Sequence, residues 1–295
     1  MPHLSVAGFD SFCQFVIILK TGFARIDYFR QIFYNSLMKS IADYSTLYAD
    51  DDIIVLNKRP GLLVAADRYD LDAPRLDKSA QKEFGEIFAV HRIDRDTSGI
   101  VVYARTQESQ KSLSMQFENR EVKKIYHCLV YGHPLWKDLH VDLKLMIDGD
   151  SRHRTVISRT HGKPSVTDFI NLGSCGPYSW IEAHPLTGRT HQIRAHLQAN
   201  GFSIVCDPLY SGNQHPVLLS DFKRKYNGDT LDERPLLSRL ALHAYQITFR
   251  HPRSGKDISF TAPYPRDLEA VRKQLAKIFK VDPLGTGPQE KSPEI

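Results

Sequence analysis

"HRIDRDTSGIVVYA", residues 91–104, decides the reading of this chain, because dense charge gives way abruptly to an apolar run. Positions 91–96 hold two arginines, two aspartates and a histidine, and Thr-Ser-Gly then turns the chain into "IVVYA". A short continuous apolar run bounded by turn residues reads as a central strand. Asp94 lies between two buried approaches, "EIFAV" before it and "IVVYA" after it. A carboxylate so placed needs a cation or several hydrogen bonds to stay ionised. Taken locally, the segment is equally explained as a capped turn, for which Asp, Thr, Ser and Gly are standard residues.

Working outward, "LYADDDIIVLNKRPGLLVAA" (47–66) predicts a hairpin, with "IIVLN" as a strand, "KRPG" as the turn and "LLVA" as the returning strand. After the charged segment, "TQESQKSLSMQFENR" (106–120) reads as a helix capped by Thr106, with Leu113 and Phe117 on one side. Strands are predicted at "KKIYHCLVYG" (123–132), "SVTDFINLG" (165–173) and "SWIEAHP" (179–185). Next, "THQIRAHLQANG" (190–201) reads as a helix with Ile193 and Leu197 inward and His191, Arg194 and Gln198 on a polar stripe; Gly201 suits its left-handed end. "RLALHAYQITFRHP" and "DISFTAPYP" are further strands, and "RDLEAVRKQLAKIF" (266–279) is an amphipathic closing helix. Without regular β-α-β alternation, this pattern argues for an α+β domain with a mixed, largely antiparallel sheet and flanking helices.

Residues 1–44 carry no clean period and are read as an extension of unknown role, 45–280 as the main folded domain and 281–295 as a disordered tail. At 295 residues the chain is long enough for a substantial core. Cys13, Cys128, Cys175 and Cys206 lie far apart, which disfavours a disulfide framework or structural zinc and fits a reducing, cytoplasmic setting. "FCQFVIIL" stops at Lys20, short of the ~20 residues a membrane helix needs, so no membrane partner is expected. The net charge of +5 mildly favours a polyanionic partner. "SRHRTVISRTHGK" (151–163) carries Arg152, Arg154, Arg159 and Lys163 without an acid, and "FKRKY" adds a second basic cluster. Either is a solvated loop or a surface that tracks phosphates.

Asp94 and Asp96 invite a metal or carboxylate-pair hydrolase reading. Residues two apart in an extended segment point to opposite faces, however, and further ligands are missing nearby. His191 and His196 are five apart and do not share a helical face, which argues against a two-histidine zinc site.

Four ordered segments carry a family resemblance across roughly residues 45–275. "HRIDRDTSG" resembles the His-Arg-Leu-Asp-x-x-Thr-Ser-Gly signature of RluA-type RNA pseudouridine synthases, with Ile93 for leucine. "VKKIYHCLVYG" is similar to the family's Lys-x-Tyr strand, "TGRTHQIRAHL" to its third motif, and "IVCDPLYSG" to the Gly-Asp-Pro-x-Tyr-Gly segment, with Cys206 for glycine and Ser211 before Gly212. The resemblance implies the pseudouridine synthase catalytic fold and site-specific isomerisation of uridine to pseudouridine in structured RNA, ribosomal or transfer. It implies neither a cofactor nor a metal. The resemblance makes Asp94 the catalytic aspartate and Tyr126 the stacking platform. Arg92 would fill the gap left by the flipped base. Arg194 is then the cation expected to pair with Asp94, with Arg189 as runner-up. Lys124, Arg189, His191, Arg152 and Arg154 complete the expected RNA-binding set. The protein is expected to act as a monomer. A non-catalytic RNA-binding protein on the same fold is the alternative, and intact Asp94, Tyr126 and Arg194 count against it.

Overall fold

Every side chain of Ser98–Ala104 is buried, as a strand walled on both faces requires. The computed structural model describes residues 42–66, 72–212 and 215–285. Within them the first half of the chain runs β1 (Tyr44–Ala49), β2 (Ile53–Lys58), α1 (Leu76–Phe84), β3 (Phe88–Ala89), β4 (Ser98–Ala104), α2 (Gln107–Glu118) and β5 (Lys123–Tyr131). Then come β6 (Asp138–Asp142), β7 (Leu145–Met146), β8 (Val156–Ile157), β9 (Val166–Cys175) and β10 (Tyr178–Pro185). The rest is α3 (Gln192–Ala199), β11 (Leu242–Arg250), β12 (Asp257–Thr261) and α4 (Arg266–Phe279).

Ten strands form one sheet in the order β1-β2-β4-β11-β5-β10-β9-β6, with β3 added beside β4 and β12 beside β11, while β7 and β8 make a separate hairpin. Among the described pairs, only β4 with β11 is parallel. The expected mixed, largely antiparallel α+β sheet is therefore the observed one. At the parallel junction Gly99 faces Ala244 with φ +109°, and a Cβ there would lie 2.2 Å from the Ala244 carbonyl oxygen. The glycine of "TSG" is thus the residue that lets two backbones meet at the centre of the sheet.

Side chains of one sheet face, Ile181 and Ala183, share a core with Ile193 and Leu197 of α3, and the same cluster extends to Leu268, Val271 and Leu275 of α4. A second cluster joins Ile54, Leu56, Val101 and Tyr103 to Ile93, so the residue before Asp94 is an anchor in the core.

Helix predictions at 106–120, 190–201 and 266–279 agree with α2, α3 and α4, and Thr106 caps α2 by accepting the Ser109 N–H. Gly201 has φ +86°, as the end of α3 requires. Two expectations need correction. "LLVA" is not a strand: it makes one isolated bridge, Leu63 to Arg75, and β2 pairs instead with β1 and β4. On the polar stripe of α3 Gln198 is exposed, whereas Arg194 is buried under the 207–210 segment and contacts Asp94. Residues 281–285 pack back on the domain, where the Asp282 carboxylate accepts Arg272 Nε and one terminal nitrogen and the partly buried Leu284 packs against the core. Residues 1–41 of the expected extension and 286–295 of the expected tail lie outside the described residues.

Candidate active site

The turn carrying Asp94 is pinned from below. Lys58, at the end of β2, is almost fully buried and donates from Nζ to the carbonyls of Arg95 (2.9 Å), Leu62 (2.9 Å) and Arg59 (3.1 Å). Burial pushes its amine down to about 7, against the attraction of Asp96 and Asp94. Backbone bonds from Gly61 N–H to Arg95 (2.8 Å) and from Thr97 N–H to the Asp94 carbonyl (3.2 Å) close the turn. The Asp94 side chain is left 24% exposed, at the floor of a cleft of about 560 Å³.

The opposite wall is the loop leading into α3. Its conformation is set by Gln192, whose Oε1 accepts Thr187 Oγ1 (2.7 Å) and the Arg189 N–H (3.0 Å) while its Nε2 donates to Val166 and Thr167 of β9. Within the first turn of the helix, Arg194 donates from one terminal nitrogen to Asp94 Oδ2 at 3.3 Å. Its other two nitrogens, Nε included, donate to the fully buried carboxylate of Asp207 at 2.8 Å each. Burial works against the charge of Arg194, but hydrogen bonding to Asp207 and the charges of Asp207 and Asp94 outweigh it, so its pKa is raised. The runner-up, Arg189, does not reach Asp94 and donates instead to the Pro164 carbonyl at 3.4 Å.

His191 precedes α3 in the left-handed region (φ +52°), with Nε2 4.0 Å from Asp94 Oδ2 and Nδ1 3.3 Å from the Tyr210 hydroxyl. Burial lowers its pKa, opposed by the charge of Asp94. Tyr126 of β5 lines the cleft, and burial, then the Asp94 charge, raises its phenol far above the ordinary value. Lys124, two residues earlier, is brought down to about 8 by burial and donates to the Thr187 carbonyl at 3.3 Å. Arg92 is exposed on the cleft wall.

Thus seven expected residues, Asp94, Arg92, Lys124, Tyr126, Arg189, His191 and Arg194, line one cleft. Arg152 and Arg154 do not line it. They sit between β7 and β8 against the segment after Asp207: Arg152 donates to the Pro208 carbonyl (3.4 Å), and Arg154 to Asp150 (2.8 Å) and the Leu209 carbonyl (3.2 Å). His196 is a satisfied core histidine, bonded to Thr167 Oγ1 and the Leu143 carbonyl.

Sequence reasoning assigned no role to three residues that shape this site. Asp207 and Tyr210 were visible only as part of "IVCDPLYSG". Tyr210 exchanges hydrogen bonds with both backbone groups of Thr155, and its ring centroid lies 5.0 Å from the Arg194 guanidinium carbon. His91 accepts the Val102 N–H on Nε2 (2.9 Å) and stacks on Phe117 at 4.6 Å. Burial, then the charge of Lys124, holds its pKa down to about 3. The ring is therefore neutral with its proton on Nδ1.

Cys206 stands where the motif has glycine and has φ +55°, which explains the family's preference at that position. A separate cluster of metal-ligand type among the described residues, Asp50, Asp52 and His251, is already internally bonded: Arg253 holds Asp52, while Tyr48 and His251 donate to Asp50.

Residues 52–199, which include β4, Asp94 and Arg194, match the RNA pseudouridylate synthase family. The chain belongs to that family. This pseudouridylate synthase family member is 35% identical over 229 residues to the ribosomal large subunit pseudouridine synthase D of Neisseria meningitidis serogroup B, covering 75% of this chain but 58% of that protein. It therefore spans less than two thirds of that relative's length. It is 33% identical over 218 residues to the dual-specificity RNA pseudouridine synthase RluA of Escherichia coli K12, covering 74% of this chain and 91% of that one. Among solved structures, human RNA pseudouridylate synthase domain containing 1 superposes with a TM-score of 0.58 at 27% identity, over 75% of this chain and 84% of the human one. No helix among the described residues of this family member is long and apolar enough to cross a membrane.

Proposed function

We propose that the protein isomerises uridine to pseudouridine in structured RNA, ribosomal or transfer, with Asp94 as the catalytic carboxylate. The observation that carries this reading is the contact of Asp94 Oδ2 with Arg194 (3.3 Å) on the floor of a cleft that Tyr126 also lines. In this reaction the N1–C1′ bond breaks, the base turns, a C5–C1′ bond forms, and the C5 proton is replaced by one on N1. Substrate and product have the same atoms, so the balance needs no co-reactant. An ionised carboxylate serves either route, by attacking C1′ or by taking a ribose proton as uracil departs.

A stacked uridine must first leave its helix or loop, at a cost of a few kcal/mol. The cleft supports such an entry: Tyr126 offers a ring that burial keeps neutral, and Arg92 stands exposed on the wall, where a planar guanidinium can stack against the bases that remain. Lys124, Arg189 and His191 line or flank the same opening and supply donors for RNA oxygens. Arg152 and Arg154 stand farther out, on the β7–β8 connection, where phosphate contacts would orient the RNA without reading its sequence.

The test is pseudouridine mapping of ribosomal and transfer RNA from source cells lacking the gene, complemented with wild type or Asp94→Asn. One or a few sites lost and restored only by the wild type are expected. Restoration by Asp94→Asn would overturn the role of Asp94, and an unchanged map, with RNA binding retained by the purified protein, would favour a non-catalytic RNA-binding protein.

A further inference from the structure

Arg194 is shared by two carboxylates that hold it unequally. Asp207 takes two guanidinium nitrogens at 2.8 Å each in the bidentate geometry that makes such pairs strong, whereas Asp94 receives one bond of 3.3 Å. Asp207 has no exposed surface, and its Oδ1 also accepts the N–H groups of Leu209 (2.9 Å) and Tyr210 (3.1 Å). The Tyr210 ring packs against the guanidinium, and its hydroxyl is locked to Thr155. Asp207 therefore has a fixed position, and Arg194 is oriented by it rather than by Asp94.

We infer that Asp207 is a positioning residue that restrains Arg194 from closing on Asp94, leaving that carboxylate oriented by a cation yet only weakly paired with it. The inference rests on the reading of Asp94 as the catalytic carboxylate. Its physical basis is charge balance. Two carboxylates face one guanidinium in a poorly solvated place, so charge drawn to the nearer partner is withheld from the farther one. A carboxylate clamped bidentately by arginine would be a poorer nucleophile and a poorer base. If Asp207 lost its charge, the guanidinium would be free to turn toward Asp94 and deactivate it.

The experiment compares Asp207→Asn and Asp207→Glu with wild type, using RNA tritiated at uridine C5, since each turnover releases that hydrogen. Asparagine keeps an oxygen for the Leu209 and Tyr210 N–H groups, removes the charge and replaces the Oδ2 that accepts Arg194 Nε with an amide donor, which frees the guanidinium. The expected result is a fall in kcat of roughly tenfold or more with the KM for RNA within about twofold. The acidic limb of the kcat profile also moves to lower pH, because losing a negative neighbour favours the ionised form of Asp94. Asp207→Glu, which keeps the charge, leaves that limb in place. A merely structural residue would not shift the limb, so a loss of kcat without a shift in Asp207→Asn overturns the inference. A shifted limb in Asp207→Glu overturns it equally, and this arm can still refute the inference if the asparagine variant does not fold. Asp94→Asn is assayed alongside: if it turns over, the underlying reading of Asp94 has failed, whereas an inactive Asp94→Asn beside an unaffected Asp207→Asn sinks only the inference about Asp207.

Discussion

Replacing Arg194 with methionine should destabilise the fold as well as stop turnover, and the two effects can be separated. The substitution strands Asp207, a carboxylate with no exposed surface, which would keep only the two backbone N–H groups of Leu209 and Tyr210. Removing one partner of a buried ion pair costs about 3–5 kcal/mol, because the remaining charge is left uncompensated. In a domain of this size each kcal/mol lowers the melting point by roughly 2–4 °C, so the expected fall is on the order of 10 °C. Asp94 contributes little to that loss, since at 24% exposure water reaches its carboxylate. Adding Asp207→Asn removes the stranded charge and retains an acceptor for the turn. The double variant should recover to within about 1–2 kcal/mol of wild type while remaining inactive. Urea denaturation followed by circular dichroism measures the stabilities, and tritium release measures turnover. A cost below about 1 kcal/mol for the single variant, or a double variant no more stable than the single, would refute the reasoning that Asp207 needs Arg194 for its burial.

Cys206 occupies a left-handed position that costs a non-glycine residue about 1 kcal/mol. Cys206→Gly should therefore melt within a few degrees of wild type despite the loss of a buried side chain. Cys206→Val, β-branched at the same φ, should lose about 2 kcal/mol or more, and equal stability of the two variants would contradict this account. His91 gives a pH dependence of definite sign. Its folded pKa, about 3, lies below its ordinary 6.5. Between those values the unfolded chain binds a proton that the folded chain rejects, so stability falls as pH drops through that window. His91→Gln, whose amide oxygen can accept the Val102 N–H, should show a shallower fall in urea midpoint between pH 7 and about 5; superimposable slopes would remove His91 from the explanation.

The strands and helices whose apolar period is local were readable from the chain. "IVVYA" could only be a buried strand, and the 3.6-residue rhythm of "RDLEAVRKQLAKIF" gave α4 residue for residue. "LLVA" misled because its apolar run is satisfied by core contacts of Leu62 and Val64 without pairing to β2, a distinction no local pattern carries. The two-residue strands β7 and β8 are too short for any period to announce, and β6 was passed over because its side chains, Val141 excepted, are largely solvent-facing. Asp94, Tyr126 and Arg194 were named as a set through family resemblance, since nothing in their spacing states that residues 100 apart should meet.

By itself, then, the sequence determined the class of fold, the buried strand behind the charged turn, and the residue types of the cleft, because these follow from periodicity, turn chemistry and motif order along the chain. Only the tertiary structure decided the full set of partners that holds each buried charge. Arg194 reads as a polar-stripe residue paired with Asp94, but it is held more tightly by Asp207, which the 207–210 segment supplies as it folds over the guanidinium. Lys58 reads as a turn residue and in addition ties its own turn, through the Arg59 and Leu62 carbonyls, to the Asp94 loop through the Arg95 carbonyl. The reason in both cases is that a charged side chain is stable inside a protein only where other parts of the chain bring it hydrogen-bonding groups. The set is completed only by the packing of sheet, loop and helix, which brings in members distant in sequence such as the Arg95 carbonyl for Lys58 and Asp207 for Arg194.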